Sequence, residues 1–240
     1  MGRAYEVRKA SIQKTGAAKA KTYSTFAKEI YLAAKKGTPE IESNIILKRL
    51  VERAKKEQVP SDIIKRAIDK AKTNGGEDYE VVTYEGFGPG ASTLIIRTLT
   101  DNINRTVGMV RAAFNKIHKS LGVTNSVSYN YDYLAIITIN ENDEEKIFDA
   151  LLNDGIDLID FESLDGEITI TVEPTFHNKV KDVLEKIIPD VEYVFDEEGM
   201  YPKERIELND EDKETFLLLI KLLEDIDDVT DIYHNVNLDN

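Results

Sequence analysis

The sequence predicts an α+β chain of three domains: an N-terminal three-helix domain and two α+β (ferredoxin-like) domains, one inserted in the other. Three observations carry this. Apolar residues recur at helical spacing as far as residue 72, the period shortens toward two after Gly75-Gly76, and a complete βαββαβ pattern lies inside an incomplete one. With 240 residues there is room for more than one core, since a domain takes roughly 150.

Residues 1–21 hold Arg3, Arg8, Lys9, Lys14, Lys19 and Lys21 against a single Glu6, with weak apolar periodicity, and read as a flexible basic arm. They lack the apolar centre of a secretory signal, and Lys outnumbers Arg, unlike a transit peptide. A basic helical domain follows over 22–76. Its first helix spaces Phe26, Ile30 and Ala34 four apart and stops at Gly37. The second puts Ile46, Leu47, Leu50, Val51 and Ala54 on one face and Lys48, Arg49, Lys55 and Lys56 toward solvent, ending at Val59-Pro60. The third buries Ile64, Ala67, Ile68 and Ala71 and exposes Lys65, Arg66, Lys70 and Lys72.

Beyond the glycine pair, residues 79–85 and 92–99 read as strands, 105–117 as a helix, and 126–133 as a strand with Val127, Tyr129, Tyr131 and Tyr133 on one face. Residues 134–196 then spell βαββαβ. Strand 134–139 leads to a helix capped by Asn142, with Glu145 placed for a capping box and Ile147, Phe148, Leu151 and Leu152 as its apolar residues. Strands 156–161 and 167–172 meet at Leu164-Asp165-Gly166, Thr175 opens another helix, and 191–195 is the last strand. A helix over 210–223, burying Phe216, Leu217, Ile220 and Leu223, and a strand over 229–236 remain. Neither remnant closes alone, so the sequence implies a discontinuous domain, 77–133 plus 205–240, into which 134–204 is inserted.

The net charge of −14 hides a strong polarity. Residues 1–72 hold 18 Lys+Arg against 8 Asp+Glu; residues 131–240 hold 8 against 32. Such asymmetry suggests that one end meets a polyanion while the other is repelled by it; a solvated basic arm on an acidic protein is the plainer reading. No cysteine is present, which removes disulfides, thiolate metal sites and cysteine nucleophiles. No apolar run approaches the roughly 18 residues that cross a bilayer, so no membrane partner is predicted and a cytoplasmic location is expected.

Two motifs could carry binding. Tyr84-Glu85-Gly86-Phe87-Gly88-Pro89-Gly90 lies between strands and reads either as a tight hairpin or as an exposed loop whose Tyr84 or Phe87 stacks on a base. In Asp101–Thr106, Asn104 reads as the cap of a helix whose apolar stripe is Val107, Val110, Phe114 and Ile117, with Arg105, Gly108, Arg111 and Asn115 opposite. The free amides there, with Arg105 and Thr106, would make a phosphate site; otherwise Arg105 pairs with an acid. His118, His177 and His234 are isolated, and no HExxH, P-loop, GxSxG or EF-hand pattern occurs. No catalytic residue, cofactor, metal or small-molecule substrate is therefore predicted. A metal-dependent nuclease, its carboxylates converging from distant positions, is the alternative from another class.

The stretches Met1-Gly2-Arg3, IYLAAKKG (30–37), VPSDIIKRAIDKA (59–71), YEGFGPG (84–90), DNINRTVGMVRAAF (101–114), SVSY (126–129) and IYHNV (232–236) together resemble the YebC/PmpR family, relatives of TACO-type translational activators, and most nearly its YeeN-type branch. The resemblance spans essentially the whole chain. It departs at Ala4-Tyr5-Glu6-Val7, where the family has Lys-Trp-Ala-Asn, and at His118-Lys119-Ser120-Leu121-Gly122, where it has Gly-Gly-Asn-Leu-Gly. It implies three domains and a non-enzymatic cytoplasmic regulator that binds nucleic acid. Bacterial members are described as probable transcriptional regulators that bind DNA; a mitochondrial relative activates translation of cytochrome oxidase subunit I, and bacterial relatives are implicated in relieving ribosome stalling at proline-rich sequence. A DNA-binding regulator of transcription is thus the leading expectation and a ribosome-associated factor acting through ribosomal RNA the alternative. The expected contacts are Arg3, Arg8, Lys9, Lys14, Lys19, Lys21, Lys65, Lys70, Tyr84, Phe87, Arg105 and Arg111.

Overall fold

A computed structural model describes residues 19–73 and 78–238. Most of the basic arm, and the Gly75-Gly76 stop, lie outside the described residues. Three helices open the description: α1 (Lys19–Lys36), α2 (Ile45–Lys56) and α3 (Ser61–Ala71). Lys19–Lys21, expected in the arm, are thus the first turn of α1. The helices share a core of Phe26, Ile30, Tyr31 and Ala34 from α1, Leu47, Val51 and Ala54 from α2, and Ile64, Ala67 and Ile68 from α3.

One side chain joins the first two helices. Asn44 donates to the carbonyls of Ala33 and Thr38 at 3.1 and 2.8 Å and accepts from the Leu47 amide at 3.1 Å, closing the end of α1 and capping α2. Gly37 makes room for it, since a Cβ there would stand 2.6 Å from the Asn44 amide nitrogen. The cap also sets the phase of α2. Leu47, Val51 and Ala54 turn inward, while Ile46, expected in the core, is 63% exposed.

A three-stranded antiparallel sheet follows, in the order β1-β2-β7, from β1 (Glu80–Phe87), β2 (Thr93–Thr100) and β7 (Val229–His234). Glu80 pairs with Thr100 and Phe87 with Thr93 across the first hairpin; Leu94 pairs with His234 on the other side. Helix α4 (Ile103–Lys116) packs so closely that a Cβ on Gly86 would lie 2.5 Å from the Phe114 ring. Helix α7 (Asp210–Glu224) buries Phe216, Leu219 and Leu223. Leu217, expected inside, is exposed, because the buried spacing of three and four starts at Phe216.

The second sheet has the order β4-β5-β3-β6, from β3 (Tyr131–Asn140), β4 (Leu158–Leu164), β5 (Glu167–Val172) and β6 (Tyr193–Pro202), all neighbours antiparallel. With α5 (Glu144–Asn153) and α6 (His177–Ile187) it makes the βαββαβ, ferredoxin-like arrangement. Ala135, Ile137 and Ile139 of β3 meet Ile147 and Leu151 of α5 and Val180, Val183 and Leu184 of α6 in its core. Asp165 and Gly166 take positive φ in the β4–β5 turn, as a two-residue hairpin requires.

Strand β3 changes the sequence reading. Residues 126–133 and 134–139 were expected as separate strands, yet nothing at 133 breaks the chain. Ser128–Asn130 form a short turn, and β3 runs unbroken from Tyr131, paired with Pro202, to Asn140. Tyr131, Asp132 and Tyr133 therefore belong to the second sheet. The described residues divide into two compact units, one of residues 128–205 with 237–238 and the other of residues up to 127 with 206–236. The three-helix bundle and the first sheet fall in the same unit. The caps also differ from expectation: Asn102, not Asn104, caps α4, and Asp143, not Asn142, caps α5.

Candidate nucleic-acid interface

The bundle concentrates positive charge. Residues 19–73 hold 14 Lys+Arg against 7 Asp+Glu, whereas the unit of residues 128–205 holds 6 against 21. Much of the bundle's charge is spent locally. Arg66 pairs with Asp62 one turn back, Lys72 with Asp69 at 3.1 Å, Lys48 with Glu42 at 3.7 Å and Lys35 with Asp78 at 2.6 Å. Lys55 on α2 and Lys65 on α3 are exposed and join no such pair among the described residues. The Arg53 guanidinium lies 5.3 Å from the Phe26 ring and the Lys70 ammonium 5.5 Å from that of Tyr31, which fixes their stems while leaving the residues exposed.

Of the expected contacts, Arg3, Arg8, Lys9 and Lys14 lie outside the described residues. Lys19 sits in the first turn of α1. Lys21 donates to the Glu224 carbonyl oxygen. Burial works against its charge and outweighs the nearby Glu224, Asp227 and Asp225, so its pKa falls below the ordinary lysine range.

The start of α4 is organised around a carboxylate. The Asn102 side chain accepts from the Arg105 amide at 3.0 Å, as a cap. Asp228, in the turn before β7, accepts from Arg105 at 2.8 Å, Thr106 at 2.7 Å, Thr100 at 3.2 Å and Lys28 of α1 at 3.0 Å. Burial alone would raise its pKa, but hydrogen bonds from Arg105, Thr106 and Lys28 prevail and bring it to about 2. The same hydrogen bond to Asp228, with one to Asp101 at 2.7 Å, holds the Arg105 guanidinium above its ordinary range. The Arg105 and Thr106 side chains of the expected phosphate site are thus bonded to the chain's own carboxylate. Arg111, one turn and a half further along α4, is exposed.

The hairpin motif divides in two. Tyr84 is half-buried, and its hydroxyl is buried with no hydrogen-bond partner among the described residues; burial and, behind it, the charge of Asp228 push the phenol's pKa up. Phe87 is 45% exposed and so keeps an open ring. Between them Glu85, which the sequence did not single out, accepts from the Asn125 and Val127 amides at 2.8 and 2.7 Å, while its carbonyl accepts from Gly122 at 2.8 Å. One buried carboxylate thus shapes the loop beside Phe87. Neither Glu85 nor Asp228 carries a sequence signal, the first hidden in a glycine-rich motif and the second in an acidic run.

The three histidines stand apart, and His118 is exposed. His177 at the start of α6 bonds Asp196 at 2.5 Å and Glu198 at 2.6 Å on β6, and Lys181 also reaches Asp196. His234 stands edge-on to Phe216, centroids 5.1 Å apart. Among the described residues no group of three or more His, Cys, Asp or Glu is arranged to hold a metal ion, and no helix is long and apolar enough to cross a membrane.

Fold and charge together define an α+β chain in which a basic three-helix bundle adjoins a three-stranded sheet, with an acidic ferredoxin-like unit inserted between that sheet's strands. The sequence model of the TACO1/YebC N-terminal domain matches residues 3–74, and that of the TACO1/YebC second and third domain matches 79–236. The chain belongs to the TACO1/YebC family. A "Probable transcriptional regulatory protein" of Acholeplasma laidlawii is 48% identical over 239 residues, covering 98% of each chain. One of the same name from Hydrogenovibrio crunogenus is 45% identical, covering 99% of this chain and all of its own. The crystal structure of a conserved hypothetical protein from Aquifex aeolicus superposes with a TM-score of 0.73 at 30% identity, over 91% of this chain and 90% of that one.

Proposed function

We propose that the protein is a non-enzymatic, cytoplasmic regulator of gene expression that binds nucleic acid through its basic N-terminal region. The observation that carries this reading is the exposed cationic surface of α2 and α3, with Arg53, Lys55 and Lys65, in a protein whose inserted unit is strongly acidic. Phosphate contacts fix orientation and carry little sequence information, so binding of weak sequence preference follows unless Phe87 or Arg111 reaches bases. The names of the relatives support duplex DNA as the polymer. With the cations of residues 1–21 joining those of the bundle, about six phosphates would be neutralised, and the log–log dependence of affinity on salt would have a slope near −5. A fluorescence titration against duplex DNA across a salt series tests this. An affinity that does not change with salt overturns it, and co-sedimentation with ribosomes after DNA has been digested would move the partner to ribosomal RNA.

A further inference from the structure

A cleft of about 650 Å³ opens between α1 and the turn joining α7 to β7. Ser24 and Lys28 of α1, Arg105 and Lys116 of α4, and the acidic turn Asp225–Asp228 line it. Lys21, Ser24 and Lys28 stand three and four residues apart and so share one face of α1. That face meets the turn through charge. Lys21 donates to the Glu224 carbonyl, and Lys28 donates to the Asp228 carboxylate at 3.0 Å and the Asp227 carbonyl at 3.4 Å. The residues that a phosphate polymer would grip on α1 are therefore engaged by oxygens of the chain itself.

We infer that this cleft is a second seat for the phosphates of a bound nucleic acid, and that the acidic turn bordering it acts at rest as a phosphate mimic that limits binding. The inference rests on the proposed nucleic-acid reading of the bundle. A carboxylate and a phosphate ask for the same partners, ammonium and guanidinium donors and a hydroxyl, and Ser24, Lys28, Arg105 and Lys116 offer them along one opening, with Lys21 three residues before Ser24 on the same face of α1. Lys28, Arg105 and Lys116 face Asp101, Asp225, Asp227 and Asp228 there, so the cleft is net negative and repels a phosphate until some of its carboxylates give way. Asp228 is buried and bonded on both oxygens, and stays. Asp225 and Asp227 are exposed and are the displaceable part. Lys21 is poorly served where it sits, since desolvation outweighs the attraction of the turn. An incoming phosphate would supply the full charge that a carbonyl oxygen does not.

The test uses the full-length protein, with fluorescein-labelled duplex DNA and single-stranded RNA of mixed sequence as probes, titrated across a potassium chloride series. Asp225→Asn with Asp227→Asn is expected to bind several-fold more tightly than the parent, with a salt slope more negative by about one, the increment of one further phosphate contact. Adding Lys21→Met to that variant should return the slope to the parent's value. Glu211→Gln with Glu214→Gln removes the same charge from the first turns of α7 and should leave the slope unchanged. An unaltered slope in the Asp225/Asp227 variant overturns the inference while leaving the proposed function intact. A gain matched by the α7 control also overturns it, because general repulsion would then suffice. If no protein binds either probe, the nucleic-acid reading falls and this inference with it.

Discussion

Replacing Asp228 by alanine removes a carboxylate shared by four side chains on three elements: Lys28 of α1, Thr100 of β2, and Arg105 and Thr106 of α4. The consequence can be worked partner by partner. Thr100 and Thr106 bond each other at 2.8 Å, and Thr106 also reaches the Asn102 carbonyl, so the hydroxyls keep partners. Arg105 keeps Asp101. Lys28 keeps the carbonyls of Leu99 and Asp227 at 3.4 Å and the Tyr79 ring at 5.7 Å, but its side chain is 16% exposed, so its charge is left in a poorly hydrated place without the carboxylate bonded to it. Removing one partner of a buried ion pair costs about 3–5 kcal/mol. Asp228→Asn, which keeps an acceptor and loses the charge, should cost about 1.5–3 kcal/mol. Urea unfolding of the full chain reads both values, and for a chain of this size the alanine variant should melt about 10 °C lower. Adding Lys28→Met to Asp228→Ala should recover part of the loss, because the stranded ammonium goes with it. A loss below about 1 kcal/mol for Asp228→Ala, or strict additivity with Lys28→Met, would refute the assignment of Asp228 as the link between bundle and sheet. The sign of the pH dependence follows from its depressed pKa. The stabilisation is complete above the unfolded carboxylate value of about 3.9 and disappears as pH falls through about 2.

Charge reversal at Lys55 and Lys65 should weaken nucleic-acid binding at least tenfold and make the salt slope shallower by about two, in the same titration, with the unfolding midpoint unchanged. The imidazole of His177 has its pKa raised: burial opposes its charge, but the hydrogen bonds it donates to Asp196 and Glu198 prevail. Its contribution to stability should be full below the unfolded histidine value of about 6.5 and be lost as pH rises through the higher folded value, and His177→Gln should flatten that limb of a urea-midpoint profile. Glu85→Gln leaves one of two backbone amides without its acceptor and should cost about 1–3 kcal/mol, with faster hydrogen exchange at Asn125 and Val127 as the local readout. Gly86→Ala would place a methyl group against the Phe114 ring and should destabilise the chain by about 1–3 kcal/mol in the same unfolding assay.

The fold class was legible because periodicity is a local property. The spacings of Phe26, Ile30 and Ala34, of Ile64, Ala67 and Ile68, and of Ala135, Ile137 and Ile139 reach the core as the sequence pattern says they must. The charge polarity was equally plain, being a count. Phase and boundaries were less so. Whether Ile46 or Leu47 faces inward depends on where Asn44 starts the helix, and whether Tyr133 ends one strand or continues another depends on whether β6 extends to Pro202 to pair with it.

For the site, composition determined that positive charge gathers in the N-terminal third and negative charge in the rest, and family resemblance in the motifs pointed to a regulator. Tertiary structure alone decided which of those charges are engaged. Lys21 and Arg105 look in sequence like Lys65, yet folding brings the 224–228 turn against the first two and leaves the third in solvent. The physical reason is range. Hydrophobic period and net charge are set by neighbours along the chain, whereas an ion pair such as Lys28–Asp228 joins residues 200 positions apart and exists only once the fold has brought them together.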